Sequence, residues 1–215
     1  MADAKTPSPG ASALLIIDMI NDLAFDGGEA LAPPAIAAAE RIRRLRDAAD
    51  AADVPVIYVN DNFGHWLSER SAIIDHCRAE ACRGKPLIDL LHPRDTDYFI
   101  VKPQFSGFYA TNLPVLLPQL GVSRLILSGI AADICVLFTA ADAHMRDYAL
   151  WVPEDTVASE AREHQQWALE LMRHSMCAET ASSDALSLDA WLERADADEA
   201  TEARIGDSEA GSAGS

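Results

Sequence analysis

Short, unbroken hydrophobic runs alternate along the chain with longer segments in which apolar residues recur every three or four positions. The first run, ALLII at residues 13–17, has no polar alternation, which is typical of a strand buried on both faces of a sheet. Similar runs predict strands at residues 54–59, 98–101, 125–127 and 149–152, with a weaker one at 175–180. Helical spacing predicts helices at residues 35–52, 66–83, 111–120, 135–146, 159–174 and 185–195. Strands that alternate with helices indicate right-handed crossovers, so the sequence predicts a three-layer α/β/α sandwich around a mainly parallel, six-stranded sheet.

Glycine and proline indicate where two of these helices begin. Residues 23–34 contain DGG and a proline pair, which predict a loop, and the first helix is expected to start near the prolines. Thr111 is a candidate N-cap of the helix at 111–120, and Pro114 suits its first turn. Pro118 comes late enough in that helix to cut or kink it.

The chain of 215 residues is expected to form one domain. This length is sufficient to bury a core, and 49% of the residues are hydrophobic. No internal repeat or linker divides the chain, so we expect a single domain over residues 12–195, preceded by a flexible lead at 1–11. Residues 196–215 contain six acidic residues and one arginine among mostly small residues, which predicts a disordered acidic tail.

Acidic residues outnumber basic ones, 34 to 17, and give a formal net charge of −17. This charge argues against nucleic acid and anionic membrane surfaces as partners, because both require a basic patch. No apolar run reaches the roughly 18 residues of a transmembrane helix, and the first residues lack a signal-peptide pattern. The four cysteines show no CxxC spacing, so we expect reduced thiols in a cytoplasmic protein.

Three side chains of different chemistry follow predicted strands. Asp18 ends the first strand, Lys102 ends the third, and Cys135 follows the fourth after a Gly-Ile-Ala turn. Because parallel strands end at one edge of the sheet, we expect a carboxylate, an ammonium and a thiol to converge there. The ammonium and the N-terminus of the next helix would stabilise a thiolate, and the carboxylate would transfer the thiol proton to a leaving amine. Each residue alone has an ordinary alternative: a turn residue for Asp18, a solvated strand end for Lys102 and core packing for Cys135.

Four motifs, in the same order along the chain, resemble those of one known family. The segment SGIAADICVLFTAADA around Cys135 is similar to the signature of the isochorismatase-like cysteine hydrolases. LLIIDMINDL resembles the strand-one motif of that family, VKPQFSGFYATNL its lysine-centred motif, and WVPEDTVAS its strand-five motif. The resemblance covers about residues 12–180 and implies a Rossmann-type α/β fold.

The resemblance implies a catalytic triad of Asp18, Lys102 and Cys135. It also implies a cis peptide bond between Ile130 and Ala131, and an oxyanion hole formed by the backbone amides of Ala131 and Cys135. The implied reaction is a two-step hydrolysis of an amide or ureido compound, in which Cys135 attacks, an amine leaves with a proton from Asp18, and water releases the acid. True isochorismatases cleave a vinyl ether and lack the nucleophilic cysteine, so Cys135 indicates a C–N substrate.

The chain departs from the family pattern in two places. The glutamine and phenylalanine of the first family motif are Ile20 and Leu23 here, so we expect an altered pocket beside the catalytic carboxylate. Family nicotinamidases hold a metal ion through an Asp-x-His pair and a second histidine, whereas Asp61, His65 and His76 have other spacings. We therefore expect no metal and no cofactor.

The side chains expected to line the substrate pocket are Phe25, Asn62, Trp66, Phe105 and Tyr109. An aromatic lining suits a small planar amide or ureide as the partner of this site. The sequence therefore predicts a metal-independent cysteine amidohydrolase that forms an acyl-thioester intermediate. Two alternatives stay open, a metal-assisted nicotinamidase and a catalytically silent binding protein of the same fold. The family commonly assembles, so we also expect a homodimer or homotetramer.

Overall fold

The computed structural model describes residues 11–62 and 69–194, which form a six-stranded sheet flanked by helices. The strands are β1 (Ala11–Ile17), β2 (Val56–Asp61), β3 (Tyr98–Lys102), β4 (Val122–Ile130), β5 (Ala149–Trp151) and β6 (Val157–Ala158). The helices are α1 (Gly28–Ala51), α2 (Arg70–Cys77), α3 (Lys85–Leu91), α4 (Leu113–Gln119), α5 (Leu137–His144) and α6 (Arg162–Ser175), and residues 188–194 are also helical. A π-helical turn, Ala132–Val136, connects β4 to α5. The acidic tail and all but the last residue of the predicted lead lie outside the described residues.

Every strand pairing in the sheet is parallel, in the order β3-β2-β1-β4-β5, and β6 also pairs with β4. The central β1 is buried on both faces: Leu14 and Ile16 enter one hydrophobic core, while Ala13, Leu15 and Ile17 enter the other. This two-sided burial explains why the run ALLII shows no polar alternation. Helices α1 and α3 pack on the first face and α4, α5 and α6 on the second, so the predicted α/β sandwich is confirmed.

The sixth strand lies elsewhere than predicted. Residues 175–180 make only one isolated bridge, between Glu179 and Trp151, and Cys177 has a left-handed backbone with φ 53° that interrupts extended pairing. The sixth strand is instead β6, whose two residues pair with the end of β4. A strand of two residues leaves no periodic pattern in the sequence. The prediction of a strand at 175–180 is therefore wrong.

Helix α1 begins at Gly28, well before its predicted start. Gly27 has φ 86° and turns the chain into the helix, and Pro33 and Pro34 lie inside the second turn. The two prolines remove N–H donors from the helix, but Leu31 is buried against the sheet and extends the apolar face toward the N-terminus. Burial of this apolar face outweighs the missing hydrogen bonds. Residues 28–34, which were predicted to be part of a loop, are therefore helical.

The chain between β2 and β3 is less helical at its start and more helical at its end than predicted. Of the helix expected at 66–83, the described residues show α2 followed by turns, while 66–68 lie outside them. Helix α3 was not predicted, although Pro86 stands near its start and Leu87 is fully buried.

Helix α4, which follows β3, contains Pro118 close to its end and is not broken there. No described helix is both long enough and apolar enough to span a bilayer.

Candidate active site

Asp18, Lys102 and Cys135 lie together at the carboxyl edge of the sheet. Asp18 directly follows β1, Lys102 is the last residue of β3, and Cys135 lies in the π-helical turn after β4. Strand β2 lies between β1 and β3, and its last residue, Asp61, pairs in register with Lys102. The Lys102 side chain therefore passes the end of β2 to reach the other two residues.

The ammonium of Lys102 is the centre of this cluster, and the side chain is 0% exposed. Its Nζ lies 2.8 Å from Oδ2 of Asp18 and 3.6 Å from Oδ2 of Asp61. It also donates hydrogen bonds to the Gln104 carbonyl at 3.1 Å and to Sγ of Cys135 at 3.4 Å. Burial of a charge is costly unless the charge is paired and hydrogen-bonded. This ammonium is paired with carboxylates and also donates hydrogen bonds. A solvated strand end is therefore excluded as the explanation of Lys102.

The backbone around Asp18 holds its carboxylate in one orientation. Asp18 has a left-handed φ of 54°, and its N–H donates to the Val59 carbonyl at 3.0 Å. Its Oδ1 accepts a hydrogen bond from the Asp61 amide at 2.7 Å, while Oδ2 faces Lys102. The Cys135 thiol interacts electrostatically with this carboxylate. A carboxylate fixed in this way is oriented to receive the thiol proton.

The Cys135 thiol is half-buried at the start of the helical segment after β4. The peptide bond between Ile130 and Ala131, just before the π-helical turn, is cis. The Cys135 carbonyl accepts a hydrogen bond at 2.7 Å from Oγ1 of Thr139, which in turn accepts one at 3.0 Å from the Gly107 amide. Through Thr139, these contacts connect the π-helical turn that contains Cys135 to Gly107 in the loop that follows Lys102.

The electrostatics of the cluster keep the proton on the thiol. Burial raises the pKa of Cys135, the negative charge of Asp18 raises it further, and Lys102 only partly opposes them. Burial also raises the pKa of Asp18 in spite of the nearby ammonium, and the surrounding negative groups raise the pKa of Lys102 against the effect of its burial. The sequence-based expectation of a thiolate at a helix N-terminus is therefore not met. The resting arrangement is a thiol beside a carboxylate–ammonium pair.

A cavity of about 310 Å³ opens over Cys135. Of the five predicted pocket residues, Phe25 and Phe105 line it, together with the cis-bonded Ile130 and Ala131. Asn62 is buried at 6% exposure but does not line the cavity. Tyr109 lines a neighbouring groove, and Trp66 lies outside the described residues.

Five lining residues were not predicted as part of the pocket. They are Asn21, Leu31, Asp61, Ile134 and Glu160. Asn21 comes shortly after β1 and Asp61 ends β2, and a polar residue at a strand end is a signal that the sequence offered. Glu160 comes shortly after the two-residue β6, which gave no such signal. The departures at Ile20 and Leu23 do not alter the cavity directly, because both side chains are fully buried in the core and neither lines it.

The described residues contain no group of three or more histidine, cysteine or acidic side chains arranged to hold a metal ion. Two of the three residues considered as ligands have other partners. Asp61 lies beside Lys102, and Nε2 of His76 pairs with Asp22 at 2.8 Å. The third, His65, lies outside the described residues.

Comparison with known proteins agrees with the fold and identifies the family. The isochorismatase domain model matches residues 12–185. The chain is 41% identical over 177 residues to the uncharacterized isochorismatase family protein YaaI of Bacillus subtilis (strain 168), covering 82% of this chain and 97% of that protein. It is 29% identical over 189 residues to the ureidoacrylate amidohydrolase RutB of Pantoea ananatis (strain LMG 20103), covering 75% and 74% of the two chains. Among solved structures, N-carbamoylsarcosine amidase from Thermoplasma acidophilum matches with a TM-score of 0.64 and 30% identity, over 82% of this chain and 99% of that one. The chain is therefore a hydrolase of the isochorismatase family.

Proposed function

We propose that this protein is a cysteine hydrolase that cleaves the C–N bond of a small amide or carbamoyl compound through an acyl-thioester intermediate. The observation that carries the proposal is the contact of one half-buried thiol with a buried carboxylate and a buried ammonium at the base of a cavity. Two of the relatives, the ureidoacrylate amidohydrolase and the N-carbamoylsarcosine amidase, have names that describe C–N hydrolysis and lend support to this chemistry.

In the first step the thiol of Cys135 attacks the substrate carbonyl. Because the pKa of the thiol is raised, a base must take its proton as the C–S bond forms, and the Asp18 carboxylate interacts with the thiol. Asp18 then gives this proton to the leaving nitrogen, so ammonia or an amine departs neutral as the C–N bond breaks. The Cys135 thioester and the ionised Asp18 remain.

Negative charge that develops on the carbonyl oxygen needs donors in the cavity. The resemblance to the family assigns this role to the backbone amides of Ala131 and Cys135, and both residues line the cavity. Lys102 has a separate role, because it has no exposed surface. Its ammonium holds Asp18 and the sulfur in place and balances the charge of the carboxylate.

The second step hydrolyses the thioester. Asp18 removes a proton from a water molecule, whose oxygen attacks the acyl carbon, and the thiolate that leaves is protonated again by Asp18. The products are a carboxylic acid and the free enzyme, so one amide and one water give one acid and one amine. The same carboxylate therefore serves as base and acid in both steps.

A screen of small amides and ureides for ammonia release tests the proposal, with variants at the cysteine that the proposal names. Cys135→Ala and Cys135→Ser should lose hydrolysis of every substrate, and the wild-type protein mixed with a slow substrate should gain the mass of the acyl group on the peptide that contains Cys135. Cys177→Ser is the matched control, because that thiol is exposed and lies outside the cavity. Unchanged ammonia release from a true substrate by Cys135→Ala would refute the nucleophile assignment.

A further inference from the structure

Acidic side chains supply the charge that lines the cavity over Cys135. Asp18, Asp61 and Glu160 line it, and no arginine, lysine or histidine among the described residues does. Lys102 pairs with Asp18 and has no exposed surface. Residues 63–68, outside the described part of the chain, contain one histidine and no arginine or lysine. A substrate therefore enters a cavity that carries negative charge.

Of the two lining carboxylates that the proposed reaction does not use, Asp61 lies beside Lys102, which leaves Glu160. It comes shortly after β6, and its side chain is exposed. Its carboxyl group packs directly on Gly27, since a Cβ atom added at that glycine would lie 2.2 Å from Cδ of Glu160. Within residues 11–62 and 69–194, no hydrogen bond or ion pair engages this carboxylate. Because Gly27 has no Cβ atom, the carboxyl group of Glu160 can occupy this position at the cavity wall.

Gly27 is the N-cap of α1, so Glu160 lies at the positive end of a helix of 24 residues. A helix N-terminus of this kind would otherwise suit an anionic group of a ligand. Here the carboxylate of Glu160 already lies beside it, and Glu29 adds a second negative charge in the first turn. An anionic substituent of a substrate in the cavity would meet the carboxylate of Glu160 rather than free N–H donors.

We propose that Glu160 is a specificity-determining residue that selects amides and ureides whose far end is neutral or cationic and disfavours those that carry a carboxylate. This rests on the proposed function, because it names the charge class of the same substrate. Phe25, Leu31, Phe105 and Ile134 supply apolar surface for the body of the substrate. Glu160 then accepts a hydrogen bond from an N–H or ammonium group at the end remote from the reacting carbonyl.

Three amides that differ only in one end group test this selection. In the series X–CH2–CH2–CO–NH2, X is ammonium in 3-aminopropanamide, methyl in butanamide and carboxylate in succinamate. We expect kcat/KM of the wild-type protein, measured by ammonia release, to be lowest for succinamate. Glu160→Gln should lower the ratio of the ammonium to the carboxylate substrate by about tenfold, and the change should shrink at high salt.

Glu163→Gln is the matched control for this experiment. It removes the same charge from the first turn of α6, three residues further along the chain, from a side chain that does not line the cavity. The ratio for this variant should equal that of the wild-type protein. Equal kcat/KM for all three amides, or equal ratios in Glu160→Gln and the wild-type protein, would overturn the assignment of Glu160 while leaving the hydrolase proposal intact.

Alkylation of Cys135 gives a second measurement that needs no turnover. Iodoacetamide and iodoacetate have nearly the same size, and only iodoacetate carries a charge. Peptide mass spectrometry measures the rate at which each reagent alkylates Cys135. The ratio of the iodoacetamide rate to the iodoacetate rate, divided by the same ratio for the free thiol 2-mercaptoethanol, should be about ten or more. This normalised ratio should fall in Glu160→Gln. A ratio equal to that of the free thiol would refute the selection. If no amide is hydrolysed but the ratio behaves as expected, the proposed function fails and the charge selection of the cavity stands.

Discussion

Lys102→Met removes the ammonium that lies 2.8 Å from Asp18 and leaves an apolar side chain of similar length. Asp18 is 4% exposed, and burial already raises its pKa from the ordinary value of 3.8, while Lys102 lowers it. Without the ammonium the effect of burial is less opposed, so the pKa of Asp18 rises further. We expect Asp18 of the folded variant to be protonated at neutral pH, whereas the unfolded chain carries it ionised.

The loss of stability follows from the proton that the folded variant retains. Each pH unit above the unfolded pKa of 3.8 corresponds to about 1.4 kcal/mol of unfolding free energy, so a protonated Asp18 costs at most about 4.4 kcal/mol at pH 7. The same relation gives about 1.6 kcal/mol at pH 5. Because the folded state binds the proton and the unfolded state does not, this contribution to stability is greatest in acid and is lost as the pH rises.

Urea unfolding at pH 5, 6 and 7 measures this effect. The matched control is the double variant Asp18→Asn with Lys102→Met, in which a neutral amide replaces the protonated carboxyl group. The difference in unfolding free energy between the control and Lys102→Met should grow by up to about 1.4 kcal/mol per pH unit toward neutrality. A difference that stays constant between pH 5 and 7 would refute the reasoning, because it would mean that Asp18 keeps its charge without Lys102.

The remaining predictions concern the pH profile, one glycine and assembly. Because burial raises the pKa of Asp18, kcat/KM for an amide should fall on acidification at a pH above the ordinary aspartate value of 3.8, and activity that persists down to that value would contradict Asp18 as the base. Gly129→Ala should lower the unfolding free energy by more than about 2 kcal/mol, because φ is 114° and the added Cβ would lie 2.0 Å from the Ile17 carbonyl oxygen. A loss no greater than that of Gly121→Ala, at a turn with φ 66°, would show that the close approach does not matter. Light scattering should give the mass of a dimer or tetramer, and monomer alone across micromolar concentrations would contradict assembly.

Sequence reasoning succeeded where burial leaves an unbroken pattern. The run at 13–17 predicted β1 because its residues enter two cores and none can be polar. The positions of Asp18 and Lys102 followed from the same pattern, since both come at the ends of such strands. The start of α1 did not follow, because Pro33 and Pro34 suggest a loop and only the packing of the apolar face shows that the helix extends past them.

The wall of the cavity was not predictable in the same way. Glu160 comes after a strand of two residues, and its place at the N-terminus of α1 depends on a glycine far away in sequence. The state of the Cys135 thiol also depends on tertiary contacts. The local sequence indicates a helix N-terminus, which favours a thiolate, but burial and the charge of Asp18 decide the opposite.

The buried cluster keeps a constant net charge through the proposed first step. At rest the carboxylate of Asp18, the ammonium of Lys102 and the neutral thiol of Cys135 sum to zero. After attack, Asp18 is neutral, Lys102 is still charged, and the negative charge lies on the substrate oxygen, so the sum is again zero. In a buried site, a change in net charge would be costly, whereas moving one proton and one negative charge over a few ångströms is not. Lys102 therefore matters because its charge is permanent, and a neutral residue in its place would leave Asp18 already protonated and unable to accept the proton of the Cys135 thiol.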